Sequence, residues 1–226
     1  MGEYTFSNIA KVNGIAVASF SKINGILNEN VMKINGRPVW KFYDNFTDTN
    51  GTLLSAHTAN INVPGNAWTL VNISGGTNRS DIQSNRVRVY DGGTGAALAY
   101  TVDMSISDLV IYADYIAGGA TGGTGIAFRT TDTTNYWMAV ARQFDNTMRI
   151  YEKTGAGALT SRASAAKTLT SGNTYKMKLT LSGTSITFVL DGTSISYTSS
   201  VRQTVTKHGV GTLSGNTTCY MDRFRI

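Results

Sequence analysis

Acid–base or nucleophilic chemistry needs side chains that can be brought together, and this chain carries few candidates. Its glutamates are Glu3, Glu29 and Glu152. Two of them precede the region that reads as a folded domain, so no glutamate pair flanking a scissile bond can be assembled within it. His57 and His208 are the only histidines. Serines and aspartates are plentiful, yet no Gly-x-Ser-x-Gly elbow accompanies them, and each histidine reads as a turn or strand-end residue. An aspartate pair stays open, without a motif to mark it. The expectation is no catalytic residue and no enzyme. Asp91-Gly92-Gly93, Asp132, Asp145-Asn146 and Asp191-Gly192 offer loop oxygens, but these are ordinary turn formers, so no metal or cofactor is assigned.

Strand parity points instead to binding. If Ile126, Phe128, Tyr136, Met138, Val140, Met148 and Ile150 face a core, then Arg129, Trp137, Arg149, Tyr151 and Lys153 face outward. Aromatic faces stack on sugar C–H faces while basic groups donate to hydroxyls and carboxylates, so this surface would suit an acidic glycan. The same residue types are enriched at subunit interfaces, which is the competing reading.

Such residues need a scaffold, and the pattern from Trp40 onward supplies one. Tyr175 to Leu181 alternates apolar and polar residues, putting Lys176, Lys178 and Thr180 toward solvent. Ile186 to Leu190 and Ile195 to Tyr197 continue a meander, with Asp191-Gly192 between them. Leu109 to Ile116, Gly125 to Thr130, Tyr136 to Arg142 and Met148 to Lys153 form a second series, expected to pair with sequence neighbours. The one Ala-rich stretch, Ser161 to Lys167, is short, uncapped and flanked by strands, so no helix is expected. The composition agrees: 24 Gly, 2 Pro and 15% charged residues describe strands joined by polar turns. The fold class is therefore all-β, an antiparallel sandwich over residues 40–226.

Residues 1–39 are different. Ala10-Lys11-Val12-Asn13-Gly14-Ile15, Ser21-Lys22-Ile23-Asn24-Gly25-Ile26 and Met32-Lys33-Ile34-Asn35-Gly36-Arg37 are one unit returning every 11 residues. Asn-Gly between apolar residues predicts a type I′ hairpin, since both central positions need positive φ. A segment this short cannot enclose a core. Its apolar set, Ile9, Val12, Ile15, Val17, Phe20, Ile23, Ile26 and Ile34, must pack on the sandwich, on neighbouring copies in a homo-oligomer, with a trimer favoured, or on a larger particle.

The formal charge of +6 is scattered singly, without the basic run that phosphate backbones require, so no nucleic acid partner is expected. The opening lacks a basic, then apolar, leader, and no apolar stretch approaches a membrane span, so a soluble chain made in a cytoplasm is expected. The single cysteine, Cys219, reads as a small apolar residue buried near the last strand.

Three stretches resemble the concanavalin A-like lectin and glucanase superfamily, laminin-G-like modules included. They are Asp44-Asn45-Phe46-Thr47-Asp48 with Gly51-Thr52-Leu53-Leu54, Gly125-Ile126-Ala127-Phe128-Arg129 with Asn135-Tyr136-Trp137, and Asn173-Thr174-Tyr175-Lys176-Met177 with Leu190-Asp191-Gly192. His208-Gly209-Val210-Gly211 and Tyr220-Met221-Asp222-Arg223-Phe224-Arg225-Ile226 are similar to the family's closing strands. The resemblance covers about residues 42–226 and implies a jelly-roll sandwich with first and last strands side by side. Sandwiches of this kind sometimes hold calcium at a rim. The glucanase members' Glu-x-Asp-x-x-Glu strand is absent here. The repeated Lys-Ile-Asn-Gly unit is similar to N-terminal regions of tailed-phage fibre and decoration proteins. That likeness implies a virion structural protein, with other virion proteins as partners and host surface polysaccharide as a candidate ligand. The alternative on the same fold is a carbohydrate-active enzyme or a free lectin.

Overall fold

The computed structural model describes residues 40–62, 65–72, 79–90, 97–118, 123–213 and 219–226, preceded by the backbone of six two-residue strands. Those six are β1 (Lys11–Val12), β2 (Ile15–Ala16), β3 (Lys22–Ile23), β4 (Ile26–Leu27), β5 (Lys33–Ile34) and β6 (Arg37–Pro38). They pair antiparallel in twos, Val12 opposite Ile15, Ile23 opposite Ile26 and Ile34 opposite Arg37. The two residues between each pair, Asn13-Gly14, Asn24-Gly25 and Asn35-Gly36, lie outside the described residues, as do the side chains of Lys11, Lys22 and Lys33.

Two antiparallel sheets follow. The first contains β7 (Phe42–Asp44), β8 (Ile61–Asn62), β10 (Arg79–Ile82), β11 (Val87–Tyr90), β13 (Leu109–Ile116), β18 (Thr174–Ser182), β19 (Ser185–Leu190), β20 (Thr193–Thr198) and β22 (Tyr220–Arg225). Its order is β10-β11-β22-β13-β18-β19-β20, with β7 also on β22 and β8 on β7. The second contains β9 (Thr69–Asn72), β12 (Ala97–Asp103), β14 (Gly123–Asp132), β15 (Asn135–Arg142), β16 (Thr147–Lys153), β17 (Thr160–Ala166) and β21 (Lys207–Leu213), in the order β17-β16-β15-β14-β21-β12-β9. The chain is an all-β jelly-roll sandwich.

Alternation builds the core. Leu109, Ile111, Ala113 and Tyr115 of β13 join Tyr175, Met177, Leu179 and Leu181 of β18 and Ile186, Phe188 and Leu190 of β19. These meet Ile126, Phe128, Trp137, Ala139, Met148, Ile150 and Val210 from the other sheet in one cluster. The predicted meander is present as β18-β19-β20. Asp191 (φ 46°) and Gly192 (φ 82°) form its second turn with both central residues at positive φ, the condition of a type I′ hairpin. The Ala-rich stretch is strand β17, as a sequence without helix caps allows. First and last strands do lie side by side, Phe224 opposite Asp44 and Arg225 opposite Tyr43. Neighbour pairing fails at one point: β13 pairs with β18 and β22, and the chain then crosses to the other sheet before β14. Cys219 is buried, with Sγ 3.2 Å from Tyr115 Oη.

Gly125 and Gly209 sit where no side chain fits. A Cβ would lie 2.0 Å from Ala139 O in the first case and 1.9 Å from Tyr100 O in the second. Both strands are central in the second sheet, and glycine there permits the backbone approach that pairing requires.

Candidate functional site

Core-facing positions on β13 and β18 leave the intervening residues on the opposite face of the first sheet. Register places Tyr112 between Arg225 and Lys178, and Asp114 between Asp222 and Lys176. Two cross-strand rows result. A bulge at Arg223 (φ 48°) shifts register between the two rows and sets Asp222 and Arg225 opposite their partners. Trp40, at the start of the sandwich, packs edge-on against Tyr112 at 6.1 Å and 71°. The Arg225 guanidinium lies 5.6 Å from the Trp40 ring and 5.4 Å from that of Tyr112, while Lys178 Nζ is 5.8 Å from Tyr112.

Together they line a groove of about 550 Å³ whose walls include Trp40, Tyr112, Asp114, Lys176, Lys178, Asp191 and Arg225. Asp114 is its polar centre, only 1% exposed. Its Oδ2 accepts from Lys176 Nζ at 2.9 Å and from Arg223 Nη2. Asp114 Oδ1 is buried with no partner, and so is Trp40 Nε1. Buried donors and acceptors left unmet are costly, and both of these belong to residues that line the groove. Burial raises the pKa of Asp222, and the charge of Asp114 adds to this against the Arg223 N–H bond and the positive charges of Arg223 and Arg86. Tyr43, opposite Arg225 on β7, is raised by burial and by Asp222.

A second polar cluster is closed. Asp44, fully buried, accepts from Trp68 Nε1 at 2.8 Å, Phe46 N at 2.7 Å and His57 Nε2 at 2.9 Å. His57 Nδ1 faces Asp48 Oδ2 at 2.8 Å. Burial alone would lower the His57 pKa, but the hydrogen bonds and charges of Asp44 and Asp48 outweigh it and raise it. Both ring nitrogens can then donate. This knot ties the Asp44-to-Asp48 motif to the strand end and is structural.

The surface expected from parity does not form. Trp137 and Arg129 are both 0% exposed, Trp137 stacking on Phe128 at 6.1 Å within the core. The reason is twofold. On β15 both faces are apolar and buried, so Trp137, Ala139 and Ala141 read as readily inward as Tyr136, Met138 and Val140, which form a second cluster on the other face. On β14, Arg129 adopts φ 46° at a register shift, which breaks alternation. Its guanidinium donates to Gly183 O at 2.7 Å and meets Asp108 at 3.2 Å. Arg149, Tyr151 and Lys153 do face away from the main core, opposite Val140, Met138 and Tyr136. They are engaged locally: Arg149 with Asp145, Tyr151 with Arg142, and Lys153 with Gly157 O. Glu152 is held by Arg162 and Arg202. His208 sits at a strand end, as the second residue of β21, and is buried. Among the described residues, no three His, Cys, Asp or Glu side chains gather as a metal site.

The groove residues Trp40, Tyr112, Asp114 and Arg225 were not singled out by sequence. The available signal was the polar parity of Lys176 and Lys178, whose cross-strand neighbours are Asp114 and Tyr112.

The sheet order and core define an antiparallel jelly-roll sandwich. Specifically, the chain is similar to a protein of unknown function with a galectin-like fold from Bacillus subtilis, at 14% identity and TM-score 0.51, over 78% of this chain and 96% of that one. It is similar also to domain 4 of the extracellular GH43 arabinanase AbnA from Geobacillus stearothermophilus, in complex with arabinotriose, at 11% identity and TM-score 0.50, over 82% and 90%. A third likeness is to a structure from work on endo-acting O-glycanases that human gut microbiota express to initiate mucin breakdown, at 10% identity and TM-score 0.51, over 82% and 98%. No family model and no curated protein matches the chain.

Proposed function

We propose that the sandwich is a non-catalytic carbohydrate-binding domain whose ligand lies in the Trp40–Tyr112–Asp114 groove. The observation that carries this reading is the pairing of an aromatic corner with an unmet buried acceptor and donor, Asp114 Oδ1 and Trp40 Nε1. A sugar ring offers both an apolar C–H face for the rings and hydroxyls that donate and accept. The lectin-like fold shared with the structures above supports it. In the same reading the chain is a virion structural protein, a fibre, decoration or adhesin, displayed on the particle. The 11-residue repeats dock it to other virion proteins or to further copies of itself; their likeness to tailed-phage fibre segments supports this.

A glycan array with the full chain, repeated with Trp40→Ala and Tyr112→Ala, tests the site. Each variant should keep its circular dichroism spectrum and lose at least about tenfold in affinity, a stacking contact's share. Undiminished binding by both variants would place the ligand elsewhere.

A second reading, hydrolysis, draws on Asp222 lying opposite Asp114 with its carboxyl raised toward the neutral form, as a general acid requires. Reducing-end release from a bound glycan, abolished in Asp222→Asn, would establish it over simple binding.

A further inference from the structure

The groove's unmet hydrogen-bonding capacity is lopsided. On the donor side stands Trp40 Nε1, buried without a partner. Lys178 adds an exposed ammonium that forms no ion pair among the described residues and rests against the Tyr112 ring. The Arg225 guanidinium sits between the two rings of the aromatic corner. On the acceptor side the open atom is Asp114 Oδ1, because Oδ2 already holds Lys176 and Arg223. Asp191 Oδ1 takes the Lys176 N–H at 3.2 Å.

Charge leans the same way. Among the lining residues Lys176, Lys178 and Arg225 stand against Asp114 and Asp191, and Arg223 adds a second partner to Asp114 from outside the lining. The chain as a whole carries +6. A neutral sugar would meet the aromatic corner and Asp114 but leave Lys178 and the indole N–H competing for weak hydroxyl acceptors. A carboxylate accepts several N–H groups at once and forms the stronger, charge-assisted bonds.

Resting on the glycan reading above, we infer that the groove selects a sugar bearing a carboxylate, of the uronic acid class. Its ring stacks at Trp40 and Tyr112, its carboxylate takes the Trp40 indole N–H and the Lys178 ammonium beside Arg225, and one hydroxyl donates to Asp114 Oδ1. The acidic preference first sought on β15 and β16 thus belongs on the other sheet.

Oligogalacturonate and its methyl ester share a backbone and differ in charge, which makes them the probes. Calorimetric titration of the full chain should show the acid form binding at least tenfold more tightly than the ester. That preference should shrink between 50 and 200 mM salt, as screening of a partly exposed pair requires (about tenfold is 1.4 kcal/mol, and the Debye length falls to about 8 Å at 0.15 M). Lys178→Gln, an exposed strand position that leaves the core untouched, should abolish it. Equal binding of acid and ester, or a preference unchanged in both Lys178→Gln and Arg225→Gln, overturns the inference. In the first case binding that is still lost in Trp40→Ala leaves the glycan reading standing. Failure of acid, ester and a panel of neutral oligosaccharides alike brings down both.

Discussion

His208 makes the protein sensitive to mild acid in a way that can be worked out from its surroundings. It is fully buried on β21, where Nε2–H donates to Ile106 O at 3.2 Å and Nδ1 accepts the Arg129 N–H at 3.4 Å. Burial pushes its pKa down to about 4, the Ile106 bond opposing and the Arg129 charge adding to the fall. The unfolded chain titrates near 6.5. The native state therefore binds fewer protons than the unfolded state between those values, so stability is unaffected above about pH 6.5 and declines as pH falls below it. With these two values the loss is about 1 kcal/mol at pH 5.5 and about 2–3 kcal/mol at pH 4.5, roughly three quarters of its full extent. For a domain of this size that is a fall in Tm of roughly 5–10 °C. Urea denaturation at pH 7.0, 5.5 and 4.5 on the wild type and on His208→Gln isolates it. Glutamine can still donate to Ile106 O but cannot titrate. Carboxylates with lowered pKa, such as Asp81 and Asp132, contribute alike to both proteins and cancel in the difference. The variant should be less stable at pH 7 yet lose about 2–3 kcal/mol less on going to pH 4.5. Equal losses in the two proteins would refute the argument.

The other histidine acts in the opposite window. Because the folded pKa of His57 is raised, its stabilisation is full below about pH 6.5 and disappears as pH rises through the folded value, so wild type should lose stability relative to His57→Gln from pH 6 to 9; a constant difference would contradict it. Asp44→Ala strips the acceptor from Trp68, Phe46 and His57 at once and should cost about 3 kcal/mol in urea midpoint analysis, a loss under 1 showing the knot to be dispensable. Gly209→Ala should cost more than about 2 kcal/mol or prevent folding, whereas Gly51→Ala, at φ 90° with open space around it, should cost about 1 kcal/mol. Similar losses at the two glycines would show that strand spacing is not the constraint. Removing residues 1–39 should leave the sandwich midpoint within about 0.5 kcal/mol while sedimentation shows loss of self-association; an unchanged oligomer would end the assembly role.

The strands best read from sequence are those with one wet face. β18 through β20 alternate cleanly because Lys176, Lys178 and Thr180 separate Tyr175, Met177, Leu179 and Leu181, and the Asp191-Gly192 turn has few other uses. β15 defeated the same method because it is covered on both sides, and a one-residue choice there moved Trp137 from core to surface. Arg129 misled for another reason: at positive φ beside a bulge, parity no longer describes a residue's face. The groove was least legible. It draws on Trp40, on Tyr112 and Asp114, on Lys176 and Lys178, and on Arg225, segments brought together only by the crossing that makes β13 a neighbour of both β18 and β22.

That same closure has a mechanical side. Lys41 N–H donates to Ile226 O at 2.8 Å and Ile226 N–H to Phe42 O at 3.0 Å, so the repeat segment enters the sandwich against its last strand. Tension arriving through that segment would meet Trp40 first and then β7, whose Phe42 belongs to the core. Trp40 is also the residue whose ring packs edge-on against Tyr112. On the proposed glycan reading, strain on the N-terminal segment would bear on the same residue that stacks on the sugar.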